Sequence, residues 1–340
     1  MINLRNDYNS VAHPAVLDAL RAEQDKRFSG YGTDERTEEA ASAVLALFGN
    51  PAGVQVHFIP AGTLTNLIAI SSFLRPHEAV IAPQSAHISL HETGAIEATG
   101  HKVLPVASRD GKLTPADISR VINTHTDEHM VKPRLVYLSQ TTELGSVYTL
   151  PELEALRSVC DEHELLLYID GARLASAVTS ARCDFDLPQI AKLADAFYLG
   201  GTKAGLLFGE ALVICNRQLQ DDFRFLIKQR GGLLAKGFLL GIQFLALLKD
   251  ELFLKLSKQA NASAASLFEG LKLLGYDFAI ETESNQVFPI IENTDLASLA
   301  ECIEFEVWER LSDSRTSIRF VTTWQTTEAE IQKVLELMNK

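Results

Sequence analysis

The sequence predicts an α/β fold: a large unit built on a mostly parallel, mixed sheet, followed by a smaller α+β unit. Three observations predict it. Short apolar runs such as Ala79-Val-Ile-Ala82, Arg134-Leu-Val-Tyr-Leu138 and Leu165-Leu-Leu-Tyr-Ile169 alternate with helical stretches. Runs that are apolar on both faces belong to strands covered by helices on both sides. Beyond residue 238 the pattern changes to long helices followed by short β-like runs. At 340 residues the chain has length for both units. The division expected is 1–238, with an extended arm over 1–12, and 239–340.

Taken in order, Pro14 opens a helix in the position where proline is tolerated. Phe28-Ser-Gly-Tyr-Gly-Thr-Asp34 reads as a glycine-punctuated loop with Tyr31 at its tip, which is equally an ordinary turn. Ala40, Val44, Leu45 and Phe48 keep a helical period over 36–48. A strand over 54–59 then ends in Pro60-Ala-Gly-Thr63, and a helix resumes at Leu64. Strand, glycine turn and helix N-terminus together offer backbone N–H groups to a phosphate. Further strands are expected over 79–82, 102–106, 134–138, 165–169, 196–199 and 211–214, with helices opening at Thr114 and spanning 151–162. In the smaller unit, helices are expected over 239–255 and 257–274, β-like runs over 286–291 and 317–321, and a closing helix over 327–339.

Bulk composition narrows the partners. A net charge of −13 argues against nucleic acid and anionic membranes, both of which require basic patches. Four scattered cysteines without C-x-x-C pairing suggest neither a disulfide framework nor a zinc site, and no metal is expected. No apolar run approaches a membrane span, and the N-terminus lacks a basic-then-apolar signal, so a cytoplasmic protein is expected. Neither G-x-G-x-x-G nor G-x-x-x-x-G-K-[ST] occurs, which disfavours dinucleotide and P-loop sites.

The segment that carries chemistry is Gly200-Gly-Thr-Lys203. An isolated lysine is by default a surface residue. Lys203, however, follows a buried-looking strand and sits among small residues, where desolvation would make its neutral amine accessible. A second strand ends in Asp170. Alone, that aspartate would read as a helix cap. A lysine and an aspartate on strand ends suit pyridoxal phosphate, which needs an amine for its aldehyde and a carboxylate beside its ring nitrogen. Gly62, Thr63 and Thr202 are candidates for the phosphate, and His87 for the face of the ring.

These segments resemble the fold-type-I pyridoxal-phosphate enzymes, and within them the threonine aldolase/β-eliminating lyase family, especially the low-specificity threonine aldolases. The resemblance rests on Ala61-Gly-Thr63, Ser85-Ala-His-Ile-Ser-Leu-His-Glu-Thr-Gly94 and Ser139-Gln-Thr-Thr-Glu-Leu-Gly-Ser-Val-Tyr148. Ile169-Asp-Gly-Ala-Arg173, Gly200-Gly-Thr-Lys203, Lys228-Gln-Arg-Gly-Gly232 and Ile318-Arg-Phe-Val-Thr-Thr-Trp324 follow in family order. It implies that Lys203 binds the cofactor's aldehyde, that Asp170 faces the pyridine nitrogen, and that His87 stacks on the ring near the substrate hydroxyl. It also implies that Arg173 and Arg319 bind the substrate's carboxylate, ideally as a bidentate fork. Lys236 matches a basic residue that reaches a neighbouring subunit's phosphate, and Tyr31 a loop tyrosine near the active site.

The implied reaction is retro-aldol cleavage of threonine or allo-threonine to glycine and an aldehyde, in a homodimer or a tetramer of dimers that shares its active sites. Where some relatives carry a second histidine facing the substrate hydroxyl, this chain has Glu143. That leaves His87 and Glu143 as rival proton acceptors. β-Elimination or transamination uses the same cofactor residues, because the bond perpendicular to the ring decides the outcome. A non-catalytic protein on this scaffold is the remaining alternative. His91, His125 and His129 read as structural or solvated, and Trp324 as core.

Overall fold

The computed structural model describes residues 1–339. Its strands are β1 (Ile2–Asn3), β2 (Gln55–Ile59), β3 (Glu78–Pro83), β4 (Lys102–Val106), β5 (Lys132–Ser139), β6 (Leu166–Asp170) and β7 (Ala196–Gly200). They continue as β8 (Glu210–Ile214), β9 (Gln286–Val287), β10 (Ile290–Glu292), β11 (Ile303–Glu304), β12 (Glu306–Arg310) and β13 (Arg315–Val321). One seven-stranded sheet has the order β2-β8-β7-β6-β5-β3-β4. Strand β8 runs against both its neighbours, and the remaining pairs are parallel, so the expected mixed sheet is present.

Burial explains the order. Every residue of β3, β6, β7 and β8 is buried, as interior strands with two covered faces require. The edge strand β2 is partly exposed. Alternation along each strand separates two cores. Leu138, Ile169 and Phe197 pack with Val16, Val44, Leu156 and Phe244 on one face. Tyr137, Tyr168 and Tyr198 share the other face with Ile68 and Ile227. Where β6 and β7 end, a Cβ on Gly171 would lie 1.8 Å from the Tyr198 carbonyl oxygen, and one on Gly200 2.5 Å from that of Ala172. Only glycine allows these two turns to touch, and that contact brings Asp170 and Lys203 to one place.

A smaller sheet joins β10, β13 and β12, with β9 also on β13. Val287, Ile318 and Phe320 pack there against Leu267 and Ile331. Strand β12 was not expected, because its sequence Glu-Val-Trp-Glu-Arg is polar at an edge. The long helices are Phe238–Leu248 and Leu252–Leu273, broken earlier than expected, where Asp250 and Glu251 adopt φ of 52° and 56°. Helix Phe238–Leu248 packs on helices Pro14–Ala22 and Glu35–Leu47 of the large unit. At the other end of the chain, β1 pairs with β11, and Leu4 enters the small core. We therefore propose that the units divide at Lys249–Glu251, with residues 1–4 joined to the smaller one, in place of a division at 238/239.

Candidate active site

The carboxyl ends of the parallel strands surround a cavity of about 400 Å³, within the range of cofactor and ligand sites. Gly62 and Thr63 after β2, His87 after β3, and Glu143 after β5 line it. So do Asp170 at the end of β6 and Arg173 after it, Thr202 and Lys203 after β7, and Glu210 at the start of β8. Helix Gly62–Phe73 starts at Ala61, which offers no side-chain cap, so its first amides have no side-chain acceptor at that position.

Lys203 is partly accessible at the cavity wall. Burial and the Arg173 charge push its pKa down, while Asp7, Asp170 and Glu210 pull it back up. The net lowering favours a reactive neutral amine. Glu210 accepts bonds from Gly201 N–H at 3.0 Å and the Thr202 hydroxyl at 2.7 Å. Burial pushes its carboxyl up to about 7. Both contacts tie β8 to the turn that carries Lys203.

Asp170 is 4% exposed and accepts four bonds. Tyr198 donates to Oδ1 at 2.5 Å and Tyr137 to Oδ2 at 2.6 Å. Ala172 N–H adds a bond to Oδ1 at 3.0 Å, and Asn66 one to Oδ2 at 3.0 Å. Burial raises its pKa, but these donors outweigh burial and the net direction is down, so the side chain is an anion. Asn66 also donates to Glu92 Oε1 at 2.8 Å, and His87 Nδ1 meets that same oxygen at 2.8 Å. With Nδ1–H on the Glu92 carboxylate, the Nε2 lone pair is left for other work. Glu143 accepts from His87 N–H at 2.9 Å and from the Ser139 hydroxyl at 2.6 Å, and burial raises its pKa.

The two arginines differ from expectation. Asp7 of the N-terminal arm already holds the Arg173 fork, with Nε to Oδ2 at 2.7 Å and Nη2 to Oδ1 at 3.0 Å. Arg319 stands outside the wall of this cavity. Its guanidinium pairs with Glu306, reaches Gln286 Oε1 at 3.3 Å, and lies 4.8 Å from the Trp308 ring centroid. Burial and nearby Arg173 destabilise its cation, which favours an anionic ligand.

The beta-eliminating lyase family model matches residues 3–294. The chain belongs to the beta-eliminating lyase family. It is 34% identical to the low specificity L-threonine aldolase of Pseudomonas sp. (strain NCIMB 10558), covering 97% of this chain and 94% of that one. To the Escherichia coli K12 enzyme of the same name it is 27% identical over 98% of this chain and 97% of the other. The structure of Leishmania major threonine aldolase superposes with a TM-score of 0.97 at 48% identity, covering 99% and 98% of the two chains. A Thermus thermophilus aspartate aminotransferase shares the fold at a TM-score of 0.74 and 16% identity.

As a member of the beta-eliminating lyase family, the chain is a pyridoxal-phosphate-dependent lyase of the fold-type-I class. Its residues fit that cofactor on their own chemistry. An amine of lowered basicity and a buried anion share one cavity wall with a helix start that lacks a side-chain cap.

Besides Arg319, two further expected site residues, Tyr31 and Lys236, do not line this cavity. Tyr31 is 44% exposed and lies against Lys228, whose Nζ is 4.3 Å from its ring centroid. Lys236 is exposed, and neither residue lines the cavity of its own chain. His91 is exposed as expected, yet its ring stands 5.6 Å from that of His87 and 6.2 Å from that of Trp308. Reading the sequence missed Asp7, Asn66, Glu92, Tyr137, Tyr198 and Glu210. Glu92 sat within a quoted segment five residues after His87, and Asp7 within a polar cluster. The tyrosines were indistinguishable from strand core. Among the described residues, no cluster of three or more His, Cys, Asp or Glu side chains could hold a metal ion, and no helix is long and apolar enough to cross a membrane.

Proposed function

We propose that the protein cleaves L-threonine and L-allo-threonine by a retro-aldol reaction, giving glycine and an aldehyde. The observation that carries this reading is the shared cavity of Lys203, Asp170 and His87, in a chain similar over nearly its whole length to low specificity L-threonine aldolases. The putative L-allo-threonine aldolase of Listeria monocytogenes, with a TM-score of 0.73 at 18% identity, shares the fold.

Bound pyridoxal phosphate supplies an electron sink for the bond broken at the substrate's Cα. Lys203 would hold its aldehyde carbon, and Asp170 would face its ring nitrogen. The Gly62 and Thr63 amides and the Thr202 hydroxyl would hold its phosphate. Lys236 reaches the phosphate of a neighbouring subunit, and Tyr31 lies near that subunit's site. The exposure of Lys236 and Tyr31 away from the cavity of their own chain supports a homodimer or a tetramer of dimers that shares its active sites. The protein works in the cytoplasm.

The substrate's carboxylate meets Arg319 and the Nη1 edge of Arg173 that Asp7 leaves. His87 packs against the ring and takes the hydroxyl proton through Nε2, directly or through water, because Glu92 fixes Nδ1–H. Glu143 orients His87 through its backbone and faces the same part of the cavity. Positioning of this kind lowers barriers by several kcal/mol.

The test is product analysis with L-threonine, L-allo-threonine and their D-isomers. Glycine and acetaldehyde in equal amounts from the L-forms is the expected result. Pyruvate with ammonia would assign a β-elimination instead. Arg319→Gln tests the carboxylate site. A charged hydrogen bond is worth about 1.5–3 kcal/mol, so KM for L-threonine should rise roughly 10- to 100-fold, with a smaller change in kcat. An unchanged KM would remove Arg319 from the substrate site.

A further inference from the structure

We infer that Tyr137 and Tyr198 are positioning residues that keep Asp170 ionised, and thereby keep the proton of the cofactor's ring nitrogen on the ring. The inference rests on the cofactor assignment above and concerns residues that catalysis, as derived so far, does not use.

The geometry is specific. Ser139 pairs with Asp170 and Tyr137 with Tyr168 across β5 and β6, so all four side chains share one sheet face. Tyr198 points from β7 to the same carboxylate. The two phenols approach from different sides. Tyr198 lines the cavity, and its hydroxyl lies 3.5 Å from where a Cβ on Gly62 would stand, at the start of the phosphate turn. Tyr137 stands behind Asp170, outside the cavity wall, with Ser139 Oγ 3.3 Å from its hydroxyl. Both tyrosines are at most 1% exposed. Each hydroxyl donates its one proton to Asp170, Tyr137 to Oδ2 and Tyr198 to Oδ1.

This donation has a chemical consequence. A buried carboxylate facing a pyridinium can relax by taking the proton, which turns an ion pair into a neutral pair and removes the cost of burying two charges. Hydrogen bonds to the ionised form oppose that transfer. Two phenol O–H groups on opposite oxygens, aided by Asn66 and the Ala172 amide, make Asp170 a weak base despite its burial. The proton then stays on the ring. Tyr168 belongs to the same cluster but donates to Asn66 Oδ1 at 3.1 Å and not to Asp170. It therefore separates the effect of a donor from that of a buried ring.

The experiment uses the holoenzyme reconstituted with pyridoxal phosphate labelled with 15N in the ring, and Tyr137→Phe, Tyr198→Phe and Tyr168→Phe variants whose fold is checked by circular dichroism. In the wild-type protein the ring nitrogen should resonate at the pyridinium position. Tyr137→Phe and Tyr198→Phe should each move it toward unprotonated pyridine, and Tyr137→Phe should weaken cofactor affinity roughly tenfold. Tyr168→Phe should move the signal much less. Signals of the first two variants that coincide with wild type would overturn the inference. So would an equal movement in Tyr168→Phe, which would assign the effect to repacking. If a phenylalanine variant fails to fold, the other phenol's variant carries the test. A wild-type protein that binds no pyridoxal phosphate would overturn the cofactor reading itself, a different outcome.

Discussion

Lys203→Ala should remove the visible absorbance of the reconstituted protein and lower glycine formation from L-threonine by at least about 10³-fold, the scale seen when a covalent group is deleted. The lysine follows β7 on a turn held by Glu210 through Gly201 and Thr202, so its position is set by the sheet and not by its own side chain. Burial and Arg173 lower its basicity, and among the described residues no other lysine lines the cavity. Alanine leaves the turn intact, because the bonds to Glu210 come from the two residues before it. Loss of colour and activity in a variant that still folds, as checked by circular dichroism, is therefore the expected combination. Retention of more than a tenth of the activity would mean that another group holds the cofactor.

Asp7→Asn should have the largest effect on stability. Asp7 is 6% exposed, holds the Arg173 fork through two bonds, and accepts a third from Asn285 at 3.0 Å. It thus joins the N-terminal arm, the turn after β6 and the smaller unit. Removing one partner of a buried ion pair leaves the other charge uncompensated and costs about 3–5 kcal/mol. Burial would raise the Asp7 carboxyl, but Arg173 and Lys203 overcome it and hold it far below the ordinary carboxylate range. A carboxyl with a lowered folded pKa adds stability that is present above its unfolded value and lost as pH falls below it. The wild-type and Asp7→Asn unfolding midpoints should therefore differ by a constant amount near neutral pH, and the difference should begin to shrink only below about pH 4, as the pH falls toward the folded value. Urea unfolding across this pH range checks this. A difference that stays constant as the pH falls through that range would show that the pair is not the source.

Much of the site could be read from the chain because it lies where strands end. Asp170, Lys203 and Gly62 each follow an apolar run, and such runs place their last residues on one edge of a parallel sheet. Arg173 and Arg319 were legible as cations but not in their pairing, since Asp7 is 166 residues from Arg173 and no local pattern joins them. The proposed division at Lys249–Glu251 rests on a similar relation. A change of helical pattern at Phe238 marks a local difference, whereas membership of a core depends on which faces meet.

Local sequence by itself determined the sheet's mostly parallel character, the glycine turn at Gly62, and the lysine and aspartate that imply the cofactor. Alternation, chain stiffness and small-residue turns act over a few residues, so a few residues suffice to show them. Only the tertiary structure decided that Tyr137 and Tyr198 converge on Asp170, that Glu92 fixes His87, and that Asp7 and Glu306 occupy the arginines. Those relations hold between side chains from separate strands and units. Their charge states follow from burial and from neighbours that only the folded chain brings within hydrogen-bond reach.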